Sequence, residues 1–144
     1  MKFIMRLLLV LLLTFELFHF SGVCIAQALP LKDTQPPKNQ VQYGIASFYA
    51  DKFEGRKTSN GEIFRQQKMT AAHNTLPLGT YIRVVNLRNQ RSVVVKVNDR
   101  LHHKNTRIVD LSRAAATKLG FIRSGTTRVR VEVLGKEPPE LKKS

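Results

Sequence analysis

The strongest constraint on how this chain folds is a pair of β-forming segments, Thr80–Leu87 and Ser92–Val97, joined by only the four polar residues Arg88-Asn89-Gln90-Arg91. The first alternates and is rich in β-branched residues, and the second is a valine run, the two patterns expected of half-buried and buried strands. With so short a connection they pair as an antiparallel hairpin. A third segment, Thr127–Val133, puts Val129, Val131 and Val133 on one face and Arg128, Arg130 and Glu132 on the other, so it needs a core to cover one side. Ile45-Ala46-Ser47-Phe48-Tyr49 reads as a further short strand. Only one segment reads as helix: Ser112 can cap it, Ala114, Ala115 and Ala116 favour it, and Gly120 after Leu119 supplies a C-terminal stop. Many short strands with a single helix predict a small, closed, mostly β barrel.

The flanks differ in composition. Lys2 and Arg6 precede an apolar run, Leu7–Leu13, that continues more loosely through Phe20 and is interrupted by Glu16 and His19. That is the charged and apolar order of a signal peptide, too short and too interrupted for a membrane span. Cleavage after Ala26 or after Ala28 fits, and residues 1–26 are assigned to the signal. Cys24, the only cysteine, allows a competing reading as a lipid-attachment point and membrane tether, although Val23 beside it is bulkier than such a signal prefers. With cleavage after Ala26 the mature chain holds no thiol, which excludes disulfides and thiol catalysis. Residues 27–43, with Pro30, Pro36 and Pro37, read as a flexible linker, and 135–144, with Pro138, Pro139 and three lysines, as a disordered basic tail. One domain, 44–134, remains between them.

The formal net charge is +14 over 144 residues. So basic a chain expects a polyanionic neighbour, and for an exported protein that means envelope carboxylates and phosphates rather than nucleic acid; no basic-aromatic nucleic-acid motif is present. For most individual lysines and arginines a solvated face is the simpler account. His102 and His103 lack a cysteine or spaced carboxylate partner, so no metal is expected, and no cofactor.

Polar residues concentrate where strand patterns end: Gly55–Glu62, Thr70–Pro77 and Val97-Asn98-Asp99-Arg100. Asp99 follows the valine run directly, and a carboxyl at the end of an apolar strand is expected to be partly desolvated, its pKa raised, as suits a general acid. A salt bridge with Arg100 or a turn cap is the structural alternative.

Taken in order, Gly44–Tyr49, Thr58-Ser59-Asn60-Gly61-Glu62, Thr70-Ala71-Ala72-His73, Leu76-Pro77-Leu78-Gly79, Val97–Arg100 and Arg107–Ser112 resemble the RlpA-like domain of the rare lipoprotein A family of endolytic peptidoglycan transglycosylases. The resemblance spans nearly the whole folded part. It implies a six-stranded double-psi β-barrel with one or more short helices and a polar groove, related to the barrels of expansins and of membrane-bound lytic transglycosylase A. It implies Asp99 as catalytic acid and then base, with Glu62 and His73 beside it, and Tyr49, Asn60, Asn98, Arg100 and Asp110 as glycan-binding residues. Asp110 matches a groove carboxylate of expansins, yet it also sits where a helix N-cap belongs. Tyr49 and Phe53 suit stacking on sugar rings, and for Phe53 a core position is the expectation.

The reaction implied is cleavage of the β-1,4 bond after N-acetylmuramic acid, leaving a 1,6-anhydro end, with peptidoglycan strands, peptide-bearing or denuded, as partner and a monomer as the working unit. One carboxyl protonates the leaving oxygen and then, as base, activates the sugar's own C6 hydroxyl. A non-catalytic, expansin-like wall binder is the alternative. Two departures from the family pattern stand out: Leu101-His102 replaces the usual Gly-Pro after Asn98-Asp99-Arg100, and the expectation is a domain without the C-terminal SPOR module of many members. Periplasm or cell envelope is the expected location.

Overall fold

The computed structural model describes residues 40–138, so the expected signal peptide, Cys24, linker residues 27–39 and tail residues 139–144 lie outside the described residues. Among the described residues, six strands, β1 (Val41–Phe48), β2 (Thr70–His73), β3 (Tyr81–Asn86), β4 (Ser92–Asp99), β5 (Val109–Leu111) and β6 (Thr127–Gly135), are accompanied by one helix, α1 (Arg113–Leu119). Two short 3-10 turns, Asp51–Phe53 and Ile122–Ser124, complete the elements.

The strands close in the order β1-β5-β2-β4-β3-β6, which leaves no free sheet edge. The expected hairpin forms as β3 and β4, with Val84 opposite Val93. β6 pairs antiparallel with both β3 and β1, and β5 pairs antiparallel with β2. Two parallel pairings, β1 with β5 and β2 with β4, cross between the two halves and give the barrel its double-psi connection.

Alternation explains the core. Ile82 and Val84 of β3, Val93, Val95 and Val97 of β4, and Val129, Val131 and Val133 of β6 are all buried. Their alternates Arg83, Arg128 and the half-buried Arg130 and Glu132 face outward and carry the ion pairs Arg83–Glu132 and Arg130–Glu132. Helix α1 covers one flank with Ala115, Ala116 and Leu119, all fully buried. Ser112 is its N-cap, the Oγ accepting from the Ala115 N–H, and Gly120 ends it in the left-handed region at φ 73°.

The boundaries of the domain move outward. Val41–Tyr43, expected as linker, are the first residues of β1, hydrogen-bonded along Glu132–Arg130 of β6. Backbone pairing with β6 supports this stretch although Val41 and Tyr43 are largely exposed and give no one-sided apolar signal. Gly135, expected in the tail, still belongs to β6.

Leu119 joins the helix to the barrel core, and its truncation leaves a cavity that neighbouring strands are too constrained to fill. Leu119→Ala is expected to lower unfolding free energy by about 3 kcal/mol, read as a lower denaturant midpoint at unchanged slope.

Candidate active site

Strand register assembles the site. Ser47 of β1 stands opposite Asp110 of β5, Asp110 opposite Ala72 of β2, and Ala72 opposite Asp99 of β4. These residues make one row across four strands, with adjacent strands about 4.8 Å apart, so Asp99 and Asp110 are separated by about 10 Å at the backbone. Between β2 and β4 the register slips: Ala71 pairs with Val97 but Ala72 with Asp99, leaving Asn98 as the extra residue. Such a bulge re-aims the residues beside it. Asp99 thereby faces a groove of about 630 Å³ whose lining includes Tyr49, Phe53, Arg100, Arg107 and Asp110.

Asp99 accepts four hydrogen bonds: from the Tyr49 hydroxyl at 2.8 Å, the Ser59 N–H at 2.9 Å, the Ser59 hydroxyl at 2.6 Å and the Arg100 N–H at 2.8 Å. Desolvation is the largest single influence on its carboxyl and raises the pKa, but the hydrogen bonds together outweigh it and hold the group below the usual aspartate value. The expectation of a raised pKa is thus corrected: position at the end of an apolar strand supplies the burial, while the donors gathered around the carboxylate decide the sign. The salt bridge to Arg100 is not made. Its guanidinium donates instead to the His73 carbonyl at 3.1 Å.

The segment Thr58–Glu62 is folded onto the end of β4. Gly61, at φ 86°, allows the tight return that bonds its N–H to the Thr58 carbonyl. The Asn60 side-chain oxygen is used inside the loop, accepting from the Thr58 hydroxyl and the Glu62 N–H. The Asn60 N–H donates to the Asn98 carbonyl at 3.2 Å. Glu62 receives Lys96 Nζ at 2.9 Å and Asn98 Nδ2 at 3.2 Å, and these partners lower its pKa. Asn60, Glu62 and Asn98 therefore secure the loop that brings Ser59 to Asp99, and none of the three lines the groove.

Asp110 does not cap α1, a task that falls to Ser112. Its carboxylate lies in the groove wall, accepting both Nε and Nη2 of Arg107, at 2.8 and 3.1 Å, and the Ser47 hydroxyl. The pair holds the Arg107 guanidinium firmly protonated. Tyr49 packs against Phe64 at a centroid distance of 4.4 Å and edge-on to Phe53 at 5.6 Å. Burial, followed by its hydrogen bond to Asp99, raises the Tyr49 pKa, so the phenol remains a donor. Phe53, expected in the core, is instead a half-buried wall of the groove, because the Asp51–Phe53 turn lifts it clear of the barrel interior.

His73 is 2% exposed and its ring does not line the groove. Nδ1 accepts from the Thr75 and Leu76 N–H groups, which places the ring proton on Nε2, 3.2 Å from Gln42 Oε1. Burial, with Arg100 nearby, lowers its pKa to about 4. Its link to the groove is the backbone carbonyl that holds Arg100. Two site residues were not singled out from the sequence. Ser59 was visible only as part of its loop, and Arg107 only as the first residue of the segment Arg107–Ser112.

A closed barrel with paired parallel crossings and a carboxylate-bearing groove at its strand ends defines a double-psi β-barrel. A family model described as lytic transglycolase matches residues 41–131, and the chain belongs to that family. It is 54% identical over 104 residues to the endolytic peptidoglycan transglycosylase RlpA of Pasteurella multocida, covering 70% of this chain and 35% of that protein. To the protein of the same name from Neisseria meningitidis serogroup A it is 52% identical over 100 residues, covering 67% and 42%. The chain thus spans well under half the length of these relatives. Among solved structures, the Streptomyces papain inhibitor superposes with a TM-score of 0.56 at 20% identity, covering 68% of this chain and 97% of the other. The apo expansin of Clavibacter michiganensis gives 0.56 at 18% identity, covering 69% and 52%. What these two share with the chain is the fold.

Two predictions follow from the protonation states. Tyr49→Phe removes one donor from the Asp99 carboxylate and keeps the ring packing, so the Asp99 pKa is expected to rise, as read by carboxyl carbon NMR titration. Because His73 is held neutral in the fold but takes a proton at about pH 6.5 when unfolded, its contribution is fully present above that pH. It is lost as pH falls toward 4, at about 1.4 kcal/mol per pH unit. In His73→Gln the slope of unfolding free energy between pH 6.5 and pH 4 is expected to flatten.

Proposed function

We propose that the domain cleaves peptidoglycan glycan strands as an endolytic lytic transglycosylase, with Asp99 as its acid and base. One observation carries the assignment of the role. Of the two groove carboxylates, Asp110 is neutralised by Arg107, whereas among the described residues Asp99 has hydrogen-bond donors and no cationic partner. Asp99 is therefore the one free to exchange its proton with a substrate. The names of the relatives, matched over the barrel, supply the substrate class.

In this reading the protonated Asp99 gives its proton to the O4 leaving oxygen as the C1–O4 bond breaks and positive charge develops at C1. The Asp99 carboxylate then takes the proton of the muramyl C6 hydroxyl as that oxygen bonds to C1, closing the 1,6-anhydro ring. Atoms and charge balance without water. Tyr49 and Ser59 orient the carboxyl, Glu62, Asn60 and Asn98 hold the loop that presents Ser59, and Arg100 stands at the groove edge anchored on the His73 carbonyl. We place the working protein in the periplasm or cell envelope, exported by residues 1–26 and acting as a monomer. The +14 formal charge suits a polyanionic wall.

Because Asp99 rests as a carboxylate, its acid form is a minor species at neutral pH, and cleavage is expected to accelerate as pH falls toward the carboxyl range. Asp99→Asn is expected to keep the melting profile of a folded barrel and to reduce anhydro-muramyl products by about 10²-fold or more. The measurement is mass spectrometry of soluble products from sacculi, with and without stem peptides. A variant that still releases these products overturns the role of Asp99. A folded parent chain that binds sacculi and releases none favours the expansin-like binder.

A further inference from the structure

The sequence Asp51-Lys52-Phe53-Glu54-Gly55-Arg56-Lys57 mixes both signs of charge, and the fold sorts them. Asp51 is paired with Arg113 at 2.6 Å. Glu54 is paired with Arg65 at 3.2 Å and accepts the Gln66 N–H at 2.7 Å. Both carboxylates are thus engaged by partners that are not groove residues. The cations are left on the groove side: Lys52, Arg56 and Lys57 all line it, all are exposed, and among the described residues none has a carboxylate partner. Lys52 Nζ and the Arg56 guanidinium each lie 5.4 Å from the centre of the Phe53 ring. That ring is itself half-buried and braced edge-on by Tyr49.

A stack of this kind holds two flexible cations beside an apolar plate instead of letting them wander in solvent. A sugar carrying a carboxylate substituent has the complementary parts: an apolar face of C–H groups for the ring and an anion for the cations. The wall is reached along the groove from Asp99 through Tyr49, the residue that touches both Asp99 and Phe53.

We propose that Lys52, Phe53 and Arg56, with Lys57 beside them, form an anion-reading subsite that binds a carboxylate carried by the glycan next to the sugar at Asp99. The carboxylate is that of the sugar's own ether substituent or that of an attached peptide. This inference rests on the glycan reading of the groove, and it names residues that select among strands without taking part in bond cleavage. Each cation is exposed, so each contributes modestly and in a salt-dependent way. Together they are expected to change affinity by about fivefold.

The test is binding, measured by calorimetry on the full chain carrying Asp99→Asn so that no strand is consumed. The probes are soluble glycan strands stripped of peptide, strands bearing peptides, and both kinds with their carboxyls converted to neutral amides. The expected result is that amidation weakens binding about fivefold, and that adding Lys52→Gln with Arg56→Gln removes this preference and flattens the dependence on salt. The stripped and peptide-bearing arms show which carboxylate is read. Lys118→Gln, an exposed position on α1 outside the groove, is the control and is expected to leave the preference intact. The proposal is overturned if the parent binds charged and amidated strands alike, if the double variant keeps the preference, or if no strand binds. Loss of cleavage by the unsubstituted chain with the charge preference intact overturns only the catalytic reading.

Discussion

Closure of the barrel through two parallel crossings is the constraint on which everything else depends. Antiparallel neighbours alone would give a meander whose strand ends are spread along a sheet. The parallel pairs β1 with β5 and β2 with β4 bring Ser47, Asp110, Ala72 and Asp99 into one row. Ala72, 1% exposed, lies between the two carboxylates in that row. Slippage at Asn98 then turns Asp99 toward the groove and leaves Asn98 buried, where its amide can hold Glu62. A single register shift thereby sets both the acid and the anchor of the loop that serves it.

Hydrogen bonds, not ion pairs, govern the acid. The described domain is rich in arginine and lysine, yet the fold directs those nearest Asp99 elsewhere: Arg100 to a carbonyl, Arg107 to Asp110, Lys96 to Glu62. A direct cation would stabilise the carboxylate whatever occupies the groove. Hydroxyl donors such as Tyr49 and Ser59 can rotate to accept as well as donate, so they serve a carboxyl in either protonation state. The same arrangement holds the loop Thr58–Glu62 to the end of β4, since Ser59 contributes both its N–H and its hydroxyl to Asp99.

Much of this was legible in the sequence wherever a pattern extended over several residues. The β3–β4 hairpin, the alternation of β6 and the cap and stop of α1 each rest on local signals that tertiary context did not oppose. β2 and β5 carried no such signal. They are four and three residues long: β2 is buried at every position and shows no alternation, and the alternation of β5 spans only three residues, too few to read; only pairing with distant strands makes them strands at all. The site shows the same division. Asp99 was marked by its place after a valine run, and the loop Gly55–Glu62 by the polar residues between its glycines. The sign of the Asp99 pKa shift was not, because Ser59 and Tyr49 are 40 and 50 residues away along the chain. His73 was read as a neighbour of the acid from its motif, whereas its ring serves the turn at Thr75 and Leu76.

Desolvation and hydrogen bonding pull the Asp99 proton affinity in opposite directions, with desolvation the larger single influence and the donors prevailing only in sum. That balance is sensitive to what occupies the groove. A bound sugar removes water from the carboxyl and adds to the desolvation side, while any donor it displaces weakens the other, so both changes favour the acid form. In the proposed reading, occupancy of the groove thus does more than hold the substrate: it moves Asp99 toward the protonation state that bond cleavage requires.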